Sequence, residues 1–153
     1  MRTQRRLLVE QLDRKLYPFN EAGAIPVPEK GWIRSIRTSL NMTLEQMGQR
    51  LNKTKQAVKR IETSEASGTI SINLLREAGN AIGLRLVYGF VPVDGSLDKL
   101  IDKKAWELAE RIVLRANHNM LLEDQATSQE ALRKSIQDLA DELKREMKRT
   151  LWE

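Results

Sequence analysis

The sequence predicts a mainly α-helical protein, in which a cluster of short helices is followed by one β-strand and two long C-terminal helices. Three observations lead there. Leu, Ala, Glu, Lys, Arg and Gln are abundant while aromatic residues make up only 5% of the chain, a balance that favours helix over sheet. Apolar residues recur at spacings of three and four through most of the chain, and several of these rows begin just after a Ser or Thr placed to cap a helix. One stretch alone, LRLVYGFVP from Leu84 to Pro92, is instead dense in branched and aromatic residues.

Composition excludes several kinds of chemistry. At 153 residues the chain is long enough to bury a core without a covalent staple. It has no cysteine, so disulfides, thiolate metal sites and thiol nucleophiles are absent together, which fits a reducing compartment. The apolar run after Arg5 and Arg6 is broken by Glu10, unlike a signal peptide, and no stretch is long enough to span a membrane. A cytoplasmic protein without membrane association is expected. His118 is the only histidine and the carboxylates are not clustered at ligand spacing. No catalytic residue, metal site or cofactor is therefore expected, and the protein is not expected to be an enzyme.

Taken in order, the chain divides into residues 1–30, 31–83, 84–93 and 94–153. Residues 3–16 form a helix with Leu8, Leu12 and Leu16 in one row, placed to pack on the main domain or to serve as a basic arm. Pro18, Gly23, Pro26, Pro28 and Gly31 then favour an extended linker. The next domain opens with a helix carrying Trp32, Ile33, Ile36, Arg37 and Leu40. Thr43 caps a second helix with Leu44, Met47 and Leu51 on one face and Glu45 in its first turn. Asn52 tolerates the left-handed backbone that ends a helix, and Thr54 caps the third. So short a connection sets the two helices at a steep angle, and Gly48 lets the third helix approach through Val58 and Ile61. Glu62 closes that helix, Ser64 to Thr69 forms a loop, and Ser71 caps a fourth helix through Leu75 and Ile82, closed by Gly83. The expected core is Trp32, Ile36, Leu40, Met47, Leu51, Val58, Ile61, Leu75 and Ile82.

These features define a helix-turn-helix whose outward face carries Lys55, Gln56, Lys59 and Arg60. From Gly31 to Glu62 seven basic residues stand against two acidic ones, a surplus of five that equals the formal net charge of the whole chain. Charge concentrated in this way is the footprint expected of a phosphate-binding surface, although solvated helix faces also carry Lys and Gln. Read as a groove-binding helix, Lys55, Gln56 and Lys59 are placed for base readout, and Thr54, Arg60, Arg50, Lys53 and Arg34 for phosphates. The Ser64 to Thr69 loop either donates backbone groups to phosphate or only connects.

In the strand, Leu84, Leu86, Tyr88 and Phe90 alternate with Arg85, Val87, Gly89 and Val91. A lone strand leaves its backbone groups unpaired, so an antiparallel pairing with a second copy is expected, giving a homodimer with two recognition helices. After Asp94 and Gly95, Ser96 caps a long helix marked by Leu97, Ile101, Ala105, Leu108, Ile112 and Met120. Thr127 and Glu130 form a capping box for the last helix, with the row Leu132, Ile136, Leu139, Leu143, Met147 and Leu151. From Asp94 onward eleven basic residues meet thirteen acidic ones, so this half reads as a packing or partner surface.

The order of helices, with Thr43 opening the second, Thr54 the third and Glu62 closing it, resembles the Cro and lambda-repressor class of helix-turn-helix domains. Taken with GWIRSIR (Gly31 to Arg37), SEASGTI (Ser64 to Ile70), LVYGFVP (Leu86 to Pro92), GSL (Gly95 to Leu97) and LEDQ (Leu122 to Gln125), the chain is similar to the mobile mystery protein A family. That resemblance implies a bacterial regulator that binds double-stranded DNA and is encoded beside a Fic-domain protein, with an autorepressor role. The alternative it implies is an antitoxin that binds the Fic-domain partner through its C-terminal helices. The His-Pro-Phe loop of Fic enzymes is absent, as is the short inhibitory motif of some Fic antitoxins, because no Glu here precedes Gly or Asn. Asn52 stands where Gly is usual in the turn, and Lys53 where an apolar residue is usual.

Overall fold

The computed structural model describes the backbone of residues 2–122 and 128–153, and within these the side chains of residues 4–119 and 128–153. The helices are α1 (Arg2–Leu16), α2 (Phe19–Ala22), α3 (Trp32–Ser39), α4 (Leu44–Leu51), α5 (Lys55–Ser67), α6 (Ile72–Ala81), α7 (Leu97–Leu122) and α8 (Gln129–Glu146), followed by a 3-10 turn at Arg149–Trp152. The protein is mainly helical, with no strand among the described residues. Its contacts divide it into a central unit, Ala24–Tyr88, and an outer unit made of Met1–Gly23 and Gly89–Glu153.

The central unit packs α3 to α6 around Ile33, Met47, Leu51, Val58, Ile61 and Ala78. Its outline follows from local caps. Thr43, Thr54 and Ser71 each accept a hydrogen bond from the third backbone N–H beyond them, at 3.0, 3.1 and 3.1 Å. What the caps do not set is the orientation of α3, which two carboxylates of α5 determine. The Glu62 carboxylate takes the Arg37 guanidinium in a buried pair, and Arg37 Nη1 also donates to the Met42 carbonyl at 2.8 Å. One turn further on, Glu65 accepts from the backbone N–H of Trp32 and Ile33 at 2.9 and 2.8 Å and so caps α3, whose own N-cap, Gly31, has no side chain to do it. Gly31 is at φ +84°, and a Cβ there would lie 2.8 Å from the Glu65 carboxylate.

Three expectations for this unit are corrected as a result. The inward face of α3 carries Ile33 and Arg37, while Trp32 and Leu40 are 40% and 57% exposed and Ile36 is half-buried. The third helix does not close at Glu62. It continues to Ser67 because Glu65 is engaged on α3, and Gly68, at φ +79°, ends it. Ser64 to Ser67 is therefore helix and not loop. Gly48 makes room for a different neighbour than Val58 or Ile61: the carbonyl of Lys53, in the turn, lies 2.5 Å from where a Cβ would stand.

The segment from Leu84 to Val91 is not a strand. A ladder needs a second segment alongside, and among the described residues none pairs with it; the backbone N–H groups of residues 85–91 have no hydrogen-bond partner there. Leu84, Tyr88 and Phe90 of the expected dimer face are exposed, Phe90 by 82%, and Leu86 is half-buried. Part of the proline-bearing linker is also helical, because α2 packs on this segment: the Phe19 ring lies so close to Gly89 that a Cβ there would stand 2.7 Å from it.

In the outer unit α7 and α8 run antiparallel, since Lys144 near the end of α8 bridges to Asp98 and Asp102 at the start of α7, at 3.2 and 2.6 Å. Ala105, Ala109 and Ala140 keep the helices close, with Ile101, Ile136 and Leu151 completing the buried cluster. Two corrections follow here as well. The leucine row of α1 is not its packing face. Leu8 and Leu12 are 58% and 48% exposed, Val9 joins the α7 and α8 cluster, and the Asp13 carboxylate caps α7 by accepting from the N–H of Leu97 and Asp98 at 2.7 and 3.1 Å. The last helix stops at Glu146, where Met147 turns left-handed at φ 46°, and Leu151 reaches the cluster from the 3-10 turn. Ser128 caps α8, accepting from Ala131 at 3.2 Å. Thr127, the side chain of Met120 and residues 123–125 of the LEDQ motif lie outside the described residues.

Removing one partner of a buried ion pair leaves the other charge uncompensated. Arg37→Ala or Glu62→Ala should each lower the stability of the central unit by about 3 to 5 kcal/mol, read by amide hydrogen exchange of α3 and α5. Lys144 offers a pH test. Burial pulls its pKa down, but the hydrogen bonds it donates to Asp102 and Asp98 outweigh this and the net shift is upward. A raised pKa means the contribution is complete below the ordinary lysine range and is lost as pH rises through the folded value. Lys144→Met should therefore cost about 0.2 to 1 kcal/mol at pH 7, and the melting curves of the two proteins should converge in alkaline solution.

Candidate nucleic-acid interface

The helix-turn-helix is built from α4 and α5. Thr43 and Gln46 form a reciprocal box at the start of α4, with Gln46 N–H donating to Thr43 Oγ1 at 3.0 Å and Thr43 N–H donating to Gln46 Oε1 at 2.8 Å. Asn52 ends α4 in the left-handed region at φ 53°. The chain then folds back on Gly48, whose carbonyl accepts from Lys53 N–H at 2.8 Å. Only after this turn does Thr54 cap α5. Val58 and Ile61 are buried, so the helix period fixes Lys55, Gln56, Lys59 and Arg60 on the outward side, and all four are exposed.

The structure gathers most of the expected contact residues. Lys53, Thr54 and Lys55 line one shallow groove with Gln49 and Asn52. Gln56, Lys59 and Arg60 line another along α5, with Thr63 and Ser67. Arg50 lies apart from both, beside Gln46 and Met42, and Arg34 is exposed on α3 and lines neither groove. Thr63 is not among the expected contact residues, and Ser67 is expected only as part of a Ser64 to Thr69 loop; both line the groove from within α5, which runs beyond Glu62, for which the local sequence carries only the weak signal of Gly68.

Electrostatics set this surface apart. Residues 24–88 hold ten basic and five acidic side chains. Glu62 and Glu65 are spent internally, together with Arg37, which leaves nine basic and three acidic groups facing outward. Among the described residues the side chains of Lys53, Lys55, Gln56, Lys59 and Arg60 form no hydrogen bond or ion pair. The first turn of α5 has no acidic residue and begins at Lys55, against the preference of a helix N-terminus for negative charge. A bound anion would relieve that repulsion.

Among the described residues no cluster of His, Asp or Glu able to hold a metal ion occurs, and His118 is exposed on α7. Nor is any helix among them long and apolar enough to cross a membrane. No family model, curated protein or solved structure matches the chain closely enough to assign it a family.

Gly48 is the position on which the turn depends. Gly48→Ala sets a methyl against the Lys53 carbonyl, and since backbone and not a side-chain tip must move, it should cost about 1 to 3 kcal/mol. Chemical denaturation measures the loss, and chemical-shift changes confined to residues 48–55 would locate it.

Proposed function

We propose that the protein is a dimeric, sequence-specific DNA-binding regulator that lays α5 in the major groove of double-stranded DNA. The observation that carries this reading is the run of unpartnered long donors on the outward face of α5, in the part of the chain where its positive charge is concentrated. Lys55, Gln56 and Lys59 read base edges: lysine donates to guanine and glutamine pairs bidentately with adenine. Thr54, Arg60, Arg50, Lys53 and Arg34 hold phosphates, which sets register without specifying sequence. A second copy supplies the other half-site, pairing through residues 84–93, whose unpaired backbone and exposed Tyr88 and Phe90 support that role. The resemblance to the mobile mystery protein A family extends the proposal to an autorepressor in a Fic-type toxin locus.

Binding of the purified protein to its own upstream DNA tests the proposal, against a scrambled duplex and at two salt concentrations. A preference that survives the higher salt, with a footprint over two half-sites, is the expected result. Equal binding to both duplexes that collapses with salt would reduce α5 to a non-specific basic surface. Gln56→Ala should relax preference at one base pair at a cost of about 1 to 3 kcal/mol, and Arg60→Ala should weaken all sequences alike and flatten the salt dependence by roughly one unit.

A further inference from the structure

One row of side chains follows a single face of α7 at spacings of three and four: Ile101, Ala105, Leu108, Ile112, Ala116 and Asn119. Its surroundings change half way along. Ile101 and Ala105 are buried in the cluster completed by Val9 and Leu151, whereas Ile112 is 46% exposed and Ala116 and Asn119 are exposed.

The cause is a mismatch of lengths. With 26 residues α7 spans about 39 Å, and with 18 residues α8 spans about 27 Å. α1 and the 3-10 turn, which add a third layer, are held at the start of α7, where Asp13 caps it and where the end of α8 returns. Past Leu108 the row loses that layer. A groove of about 360 Å³ remains there, with Arg111 and Arg115 on its edge.

We propose that this half of α7 docks an acidic amphipathic helix of a partner protein. Leu108, Ile112 and Ala116 provide an apolar floor about two turns long, which suits a helix anchored at positions i, i+3 or i+4, and i+7. Arg111 and Arg115 stand one turn apart on one flank, and among the described residues neither lies within ion-pair distance of a carboxylate, although Arg111 is near enough to help Lys104 hold the Glu107 pKa down. Carboxylates on the incoming helix would meet them at the same spacing. The apolar floor beside the arginines distinguishes this surface from one that binds phosphate. Charge also argues against a second copy: an antiparallel two-fold pairing through this row would set Arg111 and Arg115 against the same residues of the other copy. The inference stands on α7 alone and does not depend on DNA binding.

The test uses the full chain and two fluorescein-labelled helical peptides that share one leucine row, one flanked by Glu and the other by Lys. Anisotropy should show the Glu peptide binding about ten-fold more tightly. Ile112→Ser should abolish most of that binding, and the double variant Arg111→Glu, Arg115→Glu should invert the preference, with the helical circular dichroism unchanged. If the double variant loses helix, Arg111→Gln with Arg115→Gln decides instead and should make the two peptides equal. Equal binding of both peptides to the wild type, or binding of the Glu peptide indifferent to Ile112→Ser, would overturn the proposal. So would Ile112-dependent self-association in sedimentation, which would give the groove to a second copy.

Discussion

The central unit depends on two carboxylates placed one turn apart on α5. Glu62 holds the end of α3 through Arg37, and Glu65 holds its beginning through two backbone N–H groups. A buried ion pair of this kind need not be more stabilising than apolar residues of the same shape, but it is intolerant of misalignment. Were α3 to rotate by one residue, the guanidinium would lose its partner and the two N–H groups their acceptor. The pair thus fixes which face of α3 covers Met47 and Val58, and through them the pitch of α5. The same two carboxylates lie turned away from the outward face, so the structural tie and the charge surplus on the interface have one origin.

Much of this architecture was legible because it is local. A Thr or Ser ahead of an apolar row acts within four residues, so Thr43, Thr54 and Ser71 could be read as caps, and Asn52 as the left-handed stop between two of them. Most of the errors involve partners far away in sequence. Nothing near Ser64 indicates that Glu65 is bound to residues 32 and 33, so the segment reads as a loop. Asp13 looks like an ordinary surface acid until Leu97 and Asp98 are found beside it, and the leucines of α1 look like a core face until Val9 takes that place. The alternation from Leu84 to Phe90 is real, but periodicity expresses a capacity to pair and not the presence of a partner.

The candidate interface was more legible than the core. Once Val58 and Ile61 point inward, the helix period leaves no freedom over where Lys55, Gln56 and Lys59 point. The sequence could not show which of the remaining donors share a groove. Lys53 and Thr54 join Lys55 because the turn folds back on Gly48, whereas Arg34 stays apart on another helix. Thr63 and Ser67 enter the surface only through the added length of α5.

The contact between Gly23 and Val91 has a topological meaning. A Cβ on Gly23 would lie 3.2 Å from Val91, so the chain leaves the outer unit and rejoins it at one place after the excursion through Ala24–Tyr88. The central unit is thus an insertion, and the outer unit is discontinuous. Closing an unfolded loop of that length costs about 4 kcal/mol, a cost that falls once the inserted unit has folded and drawn its ends together. Assembly in that order is the economical one, because the two separated stretches of the outer unit then meet across a short gap and not across a long unfolded loop.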